Sequence, residues 1–268
     1  MKKYSNVLLL SDMDGTLLNS QSIVSRENQE AIHYFIDNGG LFGIATGRSQ
    51  RNSVLFLGDV KVNAPCILYN GCGIFDFETK QFLSIQELSK LKLLTFLKHC
   101  LSEFIEISIQ VYCPEMCYFI SPKSQVIPYI IEIHQPCEFC RIEEIIDLSW
   151  IKILFCGKPE ELKKLNGKID EYGLEKELHR VFSSELYLEC LPFGVNKGSA
   201  LTSIKKRMGD HYKIYAVGDY YNDIEMLQAA DVGIATQNAI SSLKKIADRI
   251  TVNNDESAIA DVIYNIIT

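Results

Sequence analysis

The 268-residue sequence has no uninterrupted apolar run that approaches the ~18–20 residues needed to span a bilayer. Behind Lys2 and Lys3 only the short run Val7-Leu8-Leu9-Leu10 precedes Ser11 and Asp12, too little for the apolar region of a signal peptide. No basic run occurs. Lys+Arg 27 against Asp+Glu 34 gives a net charge of −7, which argues against a protein that coats nucleic acid or an anionic membrane. No G-x-x-x-x-G-K-[ST] is present, so a P-loop nucleotide hydrolase is unsupported. No internal repeat and no low-complexity tract appears. A soluble, cytoplasmic protein is expected, and the oligomeric state stays unknown at this stage.

What is present is ample apolar content, 47% hydrophobic residues, enough for one large domain or two moderate ones. The nine cysteines are an odd number, unlike a stapled secreted fold, and are expected as free thiols in a reducing compartment. Cys113, Cys117, Cys137 and Cys140 could be read as a zinc set. The first pair is separated by three residues in a β-like stretch and no glycine-rich knuckle surrounds either pair, so no zinc is expected.

Strand and helix alternate at both ends of the chain. Val7–Ser11 reads as a buried strand. Ser25 reads as the N-cap of a helix with Ala31, Ile32, Phe35 and Ile36 on one face, ended by Gly39-Gly40. Leu41–Ala45 and Cys66–Tyr69 read as strands, and residues 74–77 and 81–84 as a hairpin. Near the other end, Lys197–Met208, Asp223–Ala229, Ser241–Ala247 and Ser257–Ile267 read as helices, between strands at 214–217, 232–235 and 250–252. Alternation with continuous apolar strands predicts a parallel sheet covered on both faces. The middle mixes helices near 89–102, 124–134 and 159–172 with strands near 105–111, 117–120, 151–156, 180–182 and 187–190. The expected fold class is α/β: a Rossmann-like parallel-sheet core of residues 1–84 and 192–268, with an inserted α+β cap domain of residues 85–191.

Ligands of such sheets bind at the carboxyl ends of the strands. There the sequence places Asp12 and Asp14, then Thr46-Gly47, and Gly218-Asp219 followed by Asn222-Asp223, while Lys197 opens a helix after a Gly-Val-Asn turn. Each element alone is unremarkable, since D-x-D-G is common in turns and a single lysine is usually a surface group. Together, three carboxylates at one place repel one another unless a hard cation such as Mg²⁺ lies among them. Lysine and threonine beside such a metal suit a phosphoryl group. A carboxylate, ionised at neutral pH, can attack phosphorus without a base to activate it.

These residues stand in four motifs: "SDMDGTLL", "IATGR", "PFGVNKGSAL" and "VGDYYNDIEML", with "LYNGCGIFD" between the second and third. As a set they resemble the haloacid dehalogenase superfamily of phosphatases, in its Cof-type subfamily, over essentially the whole chain. The resemblance implies a Mg²⁺-dependent phosphatase acting on a small phosphorylated metabolite, a sugar phosphate or similar. It implies that Asp12 is the nucleophile and a metal ligand, that Asp14 is the general acid/base with its backbone carbonyl on the metal, and that Asp219 is the third protein ligand. Met13 through its backbone, Thr46, Gly47, Lys197 and Asn222 would bind phosphate, and Asp223 would support the metal shell and position Lys197. The cap would close over the cleft and contact substrate. Tyr220-Tyr221 departs from the smaller or more polar residues expected inside the fourth motif. The competing readings are a phosphotransferase or mutase on the same scaffold and a non-catalytic phosphometabolite-binding protein. A D-x-D glycosyltransferase leaves Lys197 and "GDYYND" unexplained.

Overall fold

The computed structural model describes residues 2–114, 116–125, 137–209 and 211–267. The chain divides into two compact units, Met1–Ile85 with Asn196–Thr268, and Gln86–Val195.

The first unit is built on a five-stranded sheet. Its strands are β1 (Val7–Ser11), β2 (Leu41–Ile44), β12 (Lys213–Gly218), β13 (Val232–Ala235) and β14 (Arg249–Ile250), in the order β14-β13-β12-β1-β2. All pairings are parallel. β1 is buried at all five positions, as its unbroken apolar run requires of a strand flanked on both edges and both faces. Helices α1 (Arg26–Asp37), α5 (Lys197–Met208) and α6 (Ile224–Ala229) connect and cover the strands. The Ser25 hydroxyl accepts from the Asn28 N–H at the start of α1. From β1 the chain runs outward to β2 on one side, and β12 to β14 fill the other, so the strand order reverses at β1. Register pairs Ser11 with both Ile44 and Val217, which brings the carboxyl ends of three strands level at that reversal, where α/β sheets bind ligands. Beyond β2, an antiparallel sheet of β3 (Cys66–Leu68), β4 (Gly73–Asp76) and β5 (Gln81–Ile85) is attached through the Ala45–Ile67 bridge.

Several boundaries differ from expectation, among them the strands expected at 105–111 and 250–252, which are Ser108–Tyr112 and Arg249–Ile250, and two of the differences have plain local reasons. β3 stops at Leu68 because Tyr69 (φ 51°) and Asn70 (φ 54°) take left-handed backbone, a conformation a strand cannot include. The final helix is split: Ser257 is left-handed (φ 61°), Ala258–Asp261 is α-helical, and Val262–Ile266 widens into a π-helical turn.

The second unit has a six-stranded sheet of β6 (Ser108–Tyr112), β7 (Cys117–Phe119), β8 (Cys137–Phe139), β9 (Lys152–Cys156), β10 (Leu178–Ser184) and β11 (Tyr187–Pro192), in the order β10-β11-β9-β6-β7-β8. It is antiparallel except for β7 with β8. Helices α3 (Leu93–Glu103) and α4 (Pro159–Glu171) pack on it around Phe96, Phe155, Leu165 and the fully buried Trp150, whose indole N–H donates to the Ile145 carbonyl at 2.8 Å. The helix expected over 124–134 lies almost entirely outside the described residues. Among the described residues no helix is long and apolar enough to cross a membrane.

Candidate active site

The site is assembled from the loops that follow β1 and β12 and from the first residue of α5. The Asp12 N–H donates to the Val217 carbonyl at 2.9 Å, which carries the strand pairing one residue past β1. The chain then turns through Gly15 (φ +78°), and a Cβ there would stand 2.5 Å from Asp219 Oδ2, so the motif glycine is required by both conformation and space. The Thr16 hydroxyl donates to Asp219 Oδ1 at 3.0 Å. Asn196 caps α5 by accepting from the Ser199 N–H at 2.7 Å, which fixes Lys197 at the first helical position. Lys197 Nζ, fully buried, donates to Asp12 Oδ1 and to Asp223 Oδ1, each at 2.6 Å. Asp223 Oδ2 accepts from the backbone N–H groups of Asp219 at 2.9 Å and Tyr220 at 3.1 Å. Both Asp223 oxygens are therefore engaged. Carboxylate oxygens of Asp12, Asp219 and Asp223 lie within 4.8 Å of one another.

Burial dominates the electrostatics. It pushes the Asp12 carboxyl well above the usual carboxylate range; the Lys197 ammonium opposes this, and Asp223, Asp219 and Asp14 reinforce it. Burial, with Asp223 nearby, pushes Asp219 up to about 7 against the Thr16 hydroxyl and Lys197. Burial alone would lower Lys197, but Asp12 and Asp223 outweigh it and hold the ammonium above its ordinary value. One ammonium among three close carboxylates leaves a surplus of negative charge. The donors are all hard oxygens, so a divalent cation fits the site.

Asp14 points elsewhere. Its half-exposed carboxylate receives Arg48 through Nε at 2.7 Å and Nη2 at 2.5 Å, a two-point grip that orients it. Arg48 also lies over the Phe56 ring, 3.9 Å from its centre. Thr46 Oγ1, buried, accepts from the Arg48 N–H at 3.1 Å. A Cβ on Gly47 would meet the Asn70 side-chain amide nitrogen at 2.9 Å. Asn222 Nδ2 donates to Asn70 Oδ1 at 3.0 Å, and the Asn70 N–H donates to the Thr46 carbonyl at 3.0 Å. Met13 is buried, and its carbonyl accepts from the Leu18 N–H at 2.8 Å. Tyr220 and Tyr221 pack edge to face on each other, ring centres 5.1 Å apart, with Tyr221 half exposed. The structure thus gathers Asp12, Asp219, Asp223 and Lys197 into one cluster, and joins Thr46, Gly47 and Asn222 through Asn70. Sequence reasoning assigned no role to Arg48, Thr16 or Asn70. Arg48 lies inside "IATGR" and Asn70 inside "LYNGCGIFD", so their neighbourhoods were flagged while their contacts were not. The buried thiols Cys66, Cys100 and Cys113 are pushed by burial up to about 12, 12 and 11, which makes them poor nucleophiles.

A family model described as haloacid dehalogenase-like hydrolase matches residues 9–263. The chain belongs to that family. It is an enzyme of the phosphatase class and the Cof type, with relatives to match. It is 29% identical over 257 residues to 5-amino-6-(5-phospho-D-ribitylamino)uracil phosphatase YcsE of Bacillus subtilis, spanning 96% of this chain and 94% of that one. It is 30% identical over 278 aligned positions to 5-amino-6-(5-phospho-D-ribitylamino)uracil phosphatase YwtE of the same organism, spanning 93% and 94%. Among solved structures, a haloacid dehalogenase-like hydrolase from Bacteroides thetaiotaomicron superposes with a TM-score of 0.84 at 25% identity, covering 99% of this chain and all of that one. The family's dependence on a divalent metal agrees with the acidic cluster.

Proposed function

We propose that this phosphatase hydrolyses a small phosphorylated metabolite with Mg²⁺ through an aspartyl-phosphate formed on Asp12. The observation that carries the reading is the Asp12–Lys197–Asp223 chain with Asp219 beside it, at the carboxyl ends of β1 and β12. Mg²⁺, when bound, supplies positive charge that draws the phosphate ester toward Asp12. Asp12 and Asp219 would hold it with the Asp14 backbone carbonyl, since both Asp223 oxygens are occupied by Lys197 and backbone N–H groups. Lys197, Thr46, Gly47, Asn222 and the Met13 N–H would bind the phosphoryl oxygens. Asp12 attacks phosphorus, and the leaving oxygen takes a proton from Asp14. Asp14 then removes a proton from the water that hydrolyses the intermediate. Arg48 orients the ionised Asp14 for the second step, in which it takes a proton; in the first step one Asp14 oxygen would have to leave Arg48 and carry the proton that it gives. Residues 1–84 and 192–268 serve as the catalytic domain, and residues 85–191 as a cap that supplies substrate contacts. The relatives' names make a ribityl phosphate ester one of the substrates to screen.

The test is a screen of phosphorylated metabolites with released phosphate as the readout, in Mg²⁺ and in EDTA. Asp12→Asn should abolish turnover and labelling of the protein. Asp14→Asn should lower turnover ~10²–10⁴-fold yet still form the intermediate from an activated ester. Label retained by Asp12→Asn, or full activity in EDTA, would refute the reading.

A further inference from the structure

A set of contacts in the first unit reaches the acidic cluster without entering it. After β13 the chain turns through residues 236–240, and this turn is tied to both acidic loops. The Asn238 side-chain amide donates to the Gly15 carbonyl at 2.7 Å, and the Ile240 N–H donates to the Asp219 carbonyl at 3.0 Å. Gly15 itself lies against the Asp219 carboxylate, and the hydroxyl of Thr16, the next residue, donates to Asp219 Oδ1 at 3.0 Å. The contacts close a ring: from the Asp219 carboxylate through Thr16, Gly15, Asn238 and Ile240 back to the Asp219 carbonyl. Asn238 is fixed from behind, since its Oδ1 accepts from the Asn254 N–H at 3.0 Å. The Thr236 N–H donates to the Gly218 carbonyl at 3.1 Å and holds the start of the turn against the end of β12.

Holding the fold together does not account for Asn238. The segment after β1 is already secured by two other amides: Asn254 Nδ2 donates to the Leu18 carbonyl at 2.9 Å, and Asn28 Nδ2 to the Leu17 carbonyl at 3.3 Å. Asn28 and Asn254 are 0% and 8% exposed. Asn238 is exposed, where water replaces a lost hydrogen bond at little cost. What Asn238 adds is direction. The carbonyl it holds belongs to the residue after Asp14, on a turn of positive φ that touches Asp219. Groups that orient metal ligands without touching the metal commonly carry about 10–100-fold in metal affinity.

We propose that Asn238 is a positioning residue for the metal site: by fixing the Gly15 turn against Asp219 it holds the Asp14 carbonyl and the Asp219 carboxylate ready before the cation arrives. The proposal rests on the phosphatase reading, which makes those two groups metal ligands, and adds to it a residue outside the four motifs. Loss of the Asn238 amide weakens metal binding and leaves the metal-free fold and the phosphate contacts as they are.

The experiment measures three quantities on the full chain and on Asn238→Ala, Asn238→Asp and Asn254→Ala: Mg²⁺ binding by titration calorimetry, Tm in EDTA, and hydrolysis of p-nitrophenyl phosphate at saturating Mg²⁺. Asn238→Ala should raise the Mg²⁺ dissociation constant about 10–100-fold. Its Tm in EDTA should stay within ~2 °C of the parent, and its KM for the aryl ester should not change once Mg²⁺ is saturating. Asn238→Asp keeps the oxygen that accepts from Asn254 but sets a second carboxylate oxygen against the Gly15 carbonyl. It should therefore also bind Mg²⁺ more weakly, despite its added negative charge. Asn254→Ala should do the reverse, lowering Tm by several degrees through the lost bond to Leu18 with Mg²⁺ binding unchanged. An unchanged Mg²⁺ affinity in Asn238→Ala, tighter binding by Asn238→Asp, a fall in Tm as large as that of Asn254→Ala, or equal losses of Mg²⁺ affinity in the two alanine variants would each overturn the proposal. A parent protein that binds no Mg²⁺ would instead refute the metal site of the phosphatase reading itself.

Discussion

With Asp219 as a metal ligand, as proposed, protons and metal should compete measurably at its carboxylate. Its carboxyl is raised from 3.8 to about 7, so the folded, metal-free protein holds a proton there that the unfolded chain has released. The sign follows: metal-free stability falls as pH rises from about 4 to about 7, by up to ~4 kcal/mol at 1.36 kcal/mol per unit, an upper bound for a partly exposed group. A cation that binds the ionised site must expel that proton. At pH 5 this costs about two units, ~2.7 kcal/mol or roughly a hundredfold in apparent affinity, while at pH 8 it costs almost nothing. Consider Mg²⁺ at about 100 times its dissociation constant at pH 8, where binding stabilises the fold by ~2.7 kcal/mol. The same concentration at pH 5 is near the dissociation constant and contributes only ~0.4 kcal/mol. Thermal unfolding with and without Mg²⁺ should show a rise in Tm of about 5–11 °C at pH 8 and about 1–2 °C at pH 5. Asp12, raised by its own burial, acts in the same direction. Equal Mg²⁺ shifts at the two pH values would refute the reasoning, as would an Asp219→Asn variant that kept the full difference.

Lys197→Met leaves Asp12 and Asp223 buried without their shared cation and should cost about 3–5 kcal/mol, a drop of about 6–20 °C in Tm. Burial already raises the Asp12 and Asp219 carboxyls and Lys197 opposes this, so without the ammonium they take up protons as pH falls, and calorimetry should find a smaller loss at pH 5 than at pH 9. Gly15→Ala places a methyl 2.5 Å from Asp219 Oδ2 at φ +78°. It should raise the Mg²⁺ concentration for half-maximal activity about tenfold or more; an unchanged value would mean that Asp219 does not need its present position. Asn70→Gly keeps the left-handed backbone and loses the contact to Asn222, whereas Asn70→Ala loses both. Both should raise KM for the phosphate ester, but only Ala should lower Tm, by the ~1–3 kcal/mol that such a conformation costs a non-glycine residue.

The parallel core was legible because its signals are local. A buried run such as Val7–Ser11 permits little else, Ser25 announces a helix start, and Lys197–Met208 is bounded by Asn196 and Gly209 as a capped helix should be. The cluster of Asp12, Lys197, Asp219 and Asp223 was legible because each member sits at a strand or helix end, where topology alone brings them near. Side-chain direction was not legible. Asp12 and Asp14 are two residues apart, yet one faces Lys197 and the other Arg48, because the chain has left extended geometry by Gly15. The left-handed pair Tyr69-Asn70 was invisible for a related reason. Asn tolerates that conformation but Tyr does not favour it, and contacts to Thr46, Arg48 and Asn222 decide the matter. In the second unit the alternation of β6 reads as strand, but which side chains meet across the sheet depends on the register of β6, β9 and β11.

The place of β1 has a consequence for synthesis. Its neighbour β2 follows within a few dozen residues, but its other partner, β12, begins at Lys213. A ribosome must therefore make and release the whole second unit before the central strand can be paired on both edges. Gln86–Val195 forms a continuous stretch with its own core and can fold while β1 still waits with one edge open. An open apolar edge invites pairing with other chains. Slow emergence of the last part of the chain, by rare codons or low temperature, should lengthen that exposure and raise aggregation, while mutations that weaken the second unit alone should leave it unchanged.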